Sequence, residues 1–534
     1  MGEFWLNSPT HDKPNDMLDA ISGAHVYGKK YVQAEGFTEV RGVWDETPAS
    51  IKALLDRNFA LGMNRLFFHV FTHNPYTDKK PGMTLDGIGL FFQRDQTWFS
   101  EARALTDYIA RCQQYLQRGL PVVDIAVFTG DEMPRRALTP DRLVPMLPGL
   151  FGRERVASEQ RRMANVGQPM TESPVGVNHA AGILDLKDWL NPLHGYHYDS
   201  MNPDGLSRWL SKLYDPKDYD MPNYRVLVVP KGVKVSAESQ QKIDSLKFYG
   251  ISVITEPWQA DTLPGVQPDA ILPDGIVFSH RKSTNVHYYF LSNQTDSVQN
   301  FRAKLRVRDV TTLINPLTGE LLNFDVEHDG DYTCVDITLP AYGSVIAACG
   351  LMFTDAGSVS QRPETVMPIG EKLQWKIVFT ENGEQVTTRQ LFDWSQSAND
   401  RIRYYSGRAR YTTTFRMNKK DVQRLEWLQL PDVKDVAHVW LNGHDLGTVW
   451  TAPYTVPLKH HLRKGKNTLE IEVVNTWHNA LRGADQGKAP FEGIWTNAKY
   501  RSKGDGLLPA GLLQTPLLLS DRYTFLKLFE ELSK

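Results

Sequence analysis

The hydrophobic period of this chain changes once. Over residues 1–272 short apolar runs alternate with stretches of helical period; from 273 onward the helical period disappears and strand-length segments recur. In the first part, residues 31–37 read as a strand that ends in a polar cluster. Pro48–Leu61 reads as a helix with Pro48 in its first turn and Gly62 just past its end. Residues 65–71 and 122–128 are apolar runs of strand length, the pattern of strands buried on both faces. Residues 98–117 form an amphipathic helical stretch closed by Gly119. This alternation predicts βαβ units, with 31–37, 65–71 and 122–128 as parallel neighbours in one sheet. A strand at 224–230, a helix over 236–249 capped by Ser236 and stopped by Gly250, and a strand at 251–255 predict one further βαβ step. The polar stretch 150–180 reads as a surface loop.

In the second part, strand segments at 287–291, 303–307, 333–339 and 345–348 are separated by the turn signals Asn315-Pro316 and Asp329-Gly330, the spacing of a β-sandwich. Residues 355–370 carry Gly, Ser and Pro and read as a linker. A second β module follows, with strands at 375–380, 409–415, 438–441 and 468–474. Its Asn442-Gly443, set between apolar runs, is the strongest hairpin signal in the chain.

Composition changes this picture little. A chain of 534 residues predicts about three to five domains. The net charge of -2 gives no basic face for a nucleic acid or an anionic membrane. No apolar run reaches the ~18 residues a membrane-crossing helix needs. The N-terminus has neither the basic nor the apolar region of a targeting signal. The 13 Trp suit both β-sandwich cores and the stacking of sugar faces on aromatic rings. Cys112, Cys334 and Cys349 match no metal-site spacing; Cys334 and Cys349 could pair across a hairpin, and buried apolar packing is the other reading.

The candidate chemistry is that of paired carboxylates. Glu35 lies near the C-terminal end of the strand read at 31–37, and a carboxylate at the C-terminal end of a barrel strand stands where such barrels place their active sites. Glu3 precedes it by one βα repeat, which would set both at neighbouring strand ends. Glycosidases need two carboxyl groups, one to protonate the leaving oxygen and one to attack or to activate water. An ordinary loop or terminal glutamate is the competing reading for each. His69 and His73 follow the next strand and could bind hydroxyls; their spacing is a metal pair only on a helix, which this segment is not. Arg94 and Trp98 could border a sugar subsite or pack at a rim. Phosphate-loop, dinucleotide, zinc-protease and nucleophile-elbow motifs are all missing from the sequence.

Two sets of residues resemble known families. The run 439–450 (VWLNGHDLGTVW), Pro453, the run 462–473 (LRKGKNTLEIEV), Asn475 and Trp477 resemble the jelly-roll sugar-binding domain of family 2 glycoside hydrolases. Glu3-Phe4-Trp5, the run 34–38 (AEGFT) with Trp44, Pro48 and Lys52, the run 59–65, His69, Arg94 and Thr97-Trp98 resemble the family 106 rhamnosidases. Residues 123–257, with 195–202 as a recognisable piece, are similar to the amidotransferase-like domain that follows such barrels.

The resemblance implies a multidomain α/β plus all-β protein. It comprises the C-terminal part of a (β/α) barrel at 1–130, an amidotransferase-like α/β domain at 131–272, a β-sandwich at 273–355 and a galactose-binding-like jelly roll at 371–534. It implies an inverting α-L-rhamnosidase acting on plant or microbial glycans, without an organic cofactor and with a calcium ion near the sugar. Glu35 and Glu3 would be the catalytic carboxylates, Glu3 doubling as a possible calcium ligand. His69, His73, Arg94, Trp98 and Trp44 would bind substrate. Because that family's barrel begins before Glu3-Phe4-Trp5, the chain is expected to lack early barrel strands. Its longer parent would be periplasmic or secreted, with a carbohydrate as its only implied partner. A non-catalytic carbohydrate-binding or structural fragment and a family 2-like β-glycosidase are the competing readings.

Overall fold

The computed structural model describes residues 1–6, 14–39, 44–85, 88–132, 195–216, 220–230, 232–254, 266–324, 326–351, 357–358, 366–370, 373–458, 460–498 and 506–520. The expected loop at 150–180 and most of the expected linker lie outside the described residues. The architecture is multidomain, α/β followed by all-β.

Strands β1 (Gly2–Trp5), β2 (Gln33–Thr38) and β3 (Arg65–Phe68) make a parallel sheet in that order, with α1 (Pro14–Val26) and α2 (Pro48–Leu61) as crossovers. The start of α2 is fixed locally. Thr47 accepts from the Ser50 amide, the Ser50 hydroxyl caps back, and Pro48 needs no donor partner. Gly62, at φ 125°, ends it. Strand alternation then divides the sheet. Phe4, Ala34 and Gly36 are buried, while Glu3, Trp5, Gln33 and Glu35 stay half-buried on the opposite face. Gly36 is required for close packing, since a Cβ there would lie 2.6 Å from the Phe4 ring. β3 departs from the expected strand buried on both faces: its residues alternate, and Phe67 is 42% exposed.

The run at 122–128 is the main correction to the sequence reading. Ile125–Phe128 joins a second parallel sheet, between Tyr198–Met201 and Val226–Val228, with Ser252–Ile254 outside the latter. All four of its residues are buried. A run apolar on both faces fits any central parallel position and carries no information about its partner. The helix Ala237–Phe248 that packs there is capped by Ser236, as its sequence predicts.

Two β-sandwiches follow. In the first, a seven-stranded sheet that includes Ile276–Ser283, Val286–Asn293 and Ser344–Cys349 faces a four-stranded sheet that includes Gln299–Leu305 and Tyr332–Leu339. Leu120–Pro121, from the α/β part, pairs with its edge at Ile276–Ser283. Cys334 and Cys349 lie on strands of different sheets, and all three cysteines are free and buried. The second sandwich sets a six-stranded sheet centred on Arg408–Met417 and Gly465–Val474 against a four-stranded one. Its hairpin Val436–Leu441/His444–Val449 turns at Asn442 and Gly443, φ 54° and 80°. Both angles are positive, as a two-residue type I′ turn demands. Asn442 Nδ2 also donates to Asn467 Oδ1 at 2.9 Å, and Asn467 Nδ2 donates to Arg463 O at 2.8 Å. The two sequence runs that carry the family 2 resemblance therefore meet in one half-buried polar knot around the buried Asn467.

The parts are joined by buried polar links. Lys52 of α2 donates to Asp56 Oδ2 at 2.6 Å and to Tyr342 O at 2.7 Å, tying the α/β part to the first sandwich. Trp477 Nε1 donates to Asp95 O at 2.7 Å, and Arg408 reaches Glu101 at 2.6 Å, tying it to the second.

Candidate active site

Glu3 and Glu35 are register partners on β1 and β2. Side chains of paired strand residues leave the same face, from backbones about 4.8 Å apart. The two carboxylates therefore share the half-buried face of the sheet. The same register sets Phe67 of β3 opposite Glu35, so one row across the sheet reads Glu3, Glu35, Phe67. Trp5, one residue past the Glu3 register position's neighbour Phe4, donates from Nε1 to Glu3 Oε1 at 3.2 Å. Neither Phe67 nor Trp5 stood out in the sequence as a site residue. Strand parity relative to the two glutamates is the signal that finds them.

His69 follows β3 directly. Its backbone N–H donates to Gly36 O at 2.9 Å, and its Nε2 stands 3.9 Å from Glu35 Oε1. Gly89, at φ 104°, lets the next loop close over it; a Cβ there would lie 3.0 Å from His69 Nδ1. The structure thus brings Glu3, Glu35 and His69 together. His73 is exposed on the loop beyond.

Three expected sugar contacts have other places. Arg94 donates to Asn74 O at 2.8 Å and to Tyr76 O at 2.9 Å, so its guanidinium braces the loop after β3. Trp98 is fully buried and donates from Nε1 to Glu46 O at 2.9 Å. Trp44 is buried against Phe91, ring centroids 4.6 Å apart, in a cluster with Trp477 and Leu481 of the second sandwich. The two Trp rings are corrected to core residues: neither offers a face on which a sugar could stack. In sequence, a Trp beside a site loop looks the same whether its ring turns toward the cleft or toward a neighbouring domain.

A second acidic group lies past the end of β2. Carboxylate oxygens of Glu39, Asp45 and Glu46 lie within 4.8 Å of one another. Both Glu46 oxygens are buried, with the Glu39 carboxyl beside them. Burial, and then the neighbouring Glu39, hold the Glu46 carboxyl well above the usual carboxylate range. Among the described residues this is the one group of three side chains able to surround a metal ion, and Glu3 stands outside it.

With this geometry in place, the comparisons with known proteins divide along the chain. Residues 1–160 match the glycoside hydrolase family 106 model, described as alpha-L-rhamnosidase. Residues 394–503 match the galactose-binding domain-like model of glycosyl hydrolase family 2. Among solved structures, a rhamnosidase from Novosphingobium sp. PP1Y superposes with a TM-score of 0.75 at 26% identity, covering 97% of this chain and 51% of that one. A Formosa agariphila protein provisionally named beta-glucuronidase is 31% identical over 317 residues, 58% of this chain and 25% of that protein. The chain therefore spans about half the length of the solved rhamnosidase and a quarter of the Formosa protein.

Proposed function

We propose that this chain carries the acid and base carboxylates of an α-L-rhamnosidase-type glycoside hydrolase, and that Glu3 and Glu35 are that pair. The observation that carries the reading is their cross-strand pairing on one half-buried face, inside the segment that matches the family 106 model. In an inverting hydrolysis one carboxylic acid protonates the leaving oxygen while the other carboxylate takes a proton from the attacking water. Glu35 is the one of the two with an imidazole beside it, His69 Nε2 at 3.9 Å. Glu3 accepts from Trp5 Nε1. Phe67 gives the same row an apolar surface suited to the methyl group of a 6-deoxy sugar.

The calcium ion implied by the family resemblance fits Glu39, Asp45 and Glu46 better than Glu3. Calcium takes six to eight oxygens at about 2.3–2.6 Å, so ligands on opposite sides of the ion stand about 5 Å apart. The mutual 4.8 Å limit of this group suits that, and a cation would offset the negative charge that these crowded carboxylates develop. When bound, the ion would offer a fixed positive charge beside the sheet end. The expected readout is a rise in melting temperature with added calcium, lost in Glu46→Gln; an unchanged melting temperature in the parent protein removes calcium from the reading.

The test of the activity is a panel of aryl glycosides that includes α-L-rhamnosides and β-D-glucuronides, the latter because of the Formosa relative's name. Rhamnoside turnover that falls at least ~10²-fold in both Glu3→Gln and Glu35→Gln supports the proposal. Turnover confined to glucuronides, or sugar binding without turnover, overturns it in favour of a β-glycosidase or a binding fragment.

A further inference from the structure

A small cavity of about 20 Å³ lies where the α/β part meets the first sandwich, and His25, His197, Ser279, His280 and Arg281 are among its lining residues. Two of the polar liners are fully engaged elsewhere. His280 uses Nδ1 on Asp269 at 2.8 Å and Nε2 on His287 at 2.8 Å. Arg281 donates to Arg118 O at 2.8 Å and to Gly119 O at 2.6 Å. The other three each keep one buried polar atom without a protein partner: His25 Nε2, His197 Nε2 and Ser279 Oγ. They come from three different places in the chain: the last turn of α1, the approach to Tyr198–Met201, and the strand Ile276–Ser283.

The hydrogen-bonding character of each atom follows from its surroundings. His25 Nδ1 lies 3.0 Å from both oxygens of Asp199, which also accepts from Tyr224 OH at 2.7 Å. Asp199 engages Nδ1, which leaves Nε2 as the ring nitrogen that faces the cavity without a protein partner. His197 is held neutral chiefly by burial, and the Phe278 backbone engages its other ring nitrogen, so its Nε2 presents a lone pair. Ser279 has a hydroxyl proton to give. One acceptor, one hydroxyl and one further ring nitrogen suit a single water molecule, which offers two protons and two lone pairs. About 10–15 Å³ suffices for one water, and a buried water makes about three such bonds.

We infer that this cavity binds one ordered water that hydrogen-bonds to His25 Nε2, donates to His197 Nε2 and accepts from Ser279 Oγ, joining α1 to the second parallel sheet and to the first sandwich. A water is favoured over a transition-metal ion because the third imidazole on the cavity, His280, has both ring nitrogens engaged, and no Cys, Asp or Glu among the described residues lines the cavity. The consequence reaches the candidate site: α1 packs directly behind β1, where a Cβ on Gly2 would strike the Asp16 backbone at 2.6 Å. The water thus helps fix the helix on which the Glu3 strand rests.

The experiment is a crystal structure of the full chain at about 1.5 Å, with elemental analysis of the same sample. The expected result is one peak of water-like density within about 2.7–3.2 Å of all three atoms, with no metal retained. A cavity without density, or an anomalous peak with stoichiometric metal, overturns the inference. In solution, Ser279→Ala removes only the hydroxyl donor and should lower the melting temperature by about 2–4 °C. His25→Phe fills the space and serves as the second variant; it should abolish the density. Persistence of the peak at full occupancy in His25→Phe also overturns the inference.

Discussion

His69 Nε2 lies 3.9 Å from Glu35 Oε1, at the end of the strand next to the one that carries Glu35. At that distance the imidazole touches the carboxylate without spending it in a short ion pair, and both side chains stay partly open, 20% and 33% exposed. His69→Ala should therefore lower kcat on an aryl rhamnoside by about 10–10²-fold, less than the loss in Glu35→Gln. Steady-state kinetics of the two variants against the unsubstituted protein check the order. Equal activity of His69→Ala and the unsubstituted protein removes His69 from the site.

The stereochemistry of hydrolysis tells how the carboxylate pair works. If Glu3 and Glu35 flank a water as acid and base, the first-formed sugar has the opposite anomeric configuration to the substrate. Proton NMR within the first minutes of turnover reads this directly. Retention would make one of the two a nucleophile.

Lys52 and Asp56 are both fully buried, 2.6 Å apart, with Tyr108 OH donating to Asp56 Oδ1 at 2.5 Å. Burial pushes the Asp56 carboxyl up and Lys52 pulls it back down. Lys52→Met leaves that carboxylate without its cation and should destabilise the protein by about 3–5 kcal/mol. Urea denaturation at pH 7 measures it. A loss under about 1 kcal/mol would mean that Tyr108 and Ser344 alone satisfy Asp56.

Burial, and then the adjacent His280, push the pKa of His287 down to about 4, from about 6.5 in an unfolded chain. The unfolded chain then binds the proton more readily than the folded one. The stability contributed by neutral His287 is fully present above pH 6.5 and is lost as pH falls toward 4. His287→Gln should flatten the fall in melting temperature between those two pH values. An acid limb unchanged in the variant would assign the acid sensitivity to other groups.

The sequence alone determined the features whose causes are local. The bounds of α2 were legible because Thr47, Pro48 and Gly62 supply cap, first turn and stop within one stretch of chain. The Asn442-Gly443 hairpin was legible because positive φ at two successive residues leaves few sequences to choose from. The pairing of Glu3 with Glu35 was legible as a repeat length, since one βα unit returns the chain to the neighbouring strand. Tertiary structure decided the rest. The strand Ile125–Phe128 is apolar on both faces, so only packing chose its sheet. Trp44 and Trp98 became core because the second sandwich and the Glu46 backbone claim them, contacts made by residues far away in the chain. Nothing in the sequence set Glu39, Asp45 and Glu46 apart. Their character comes from burial beside one another, a property of the folded environment that no spacing along the chain records.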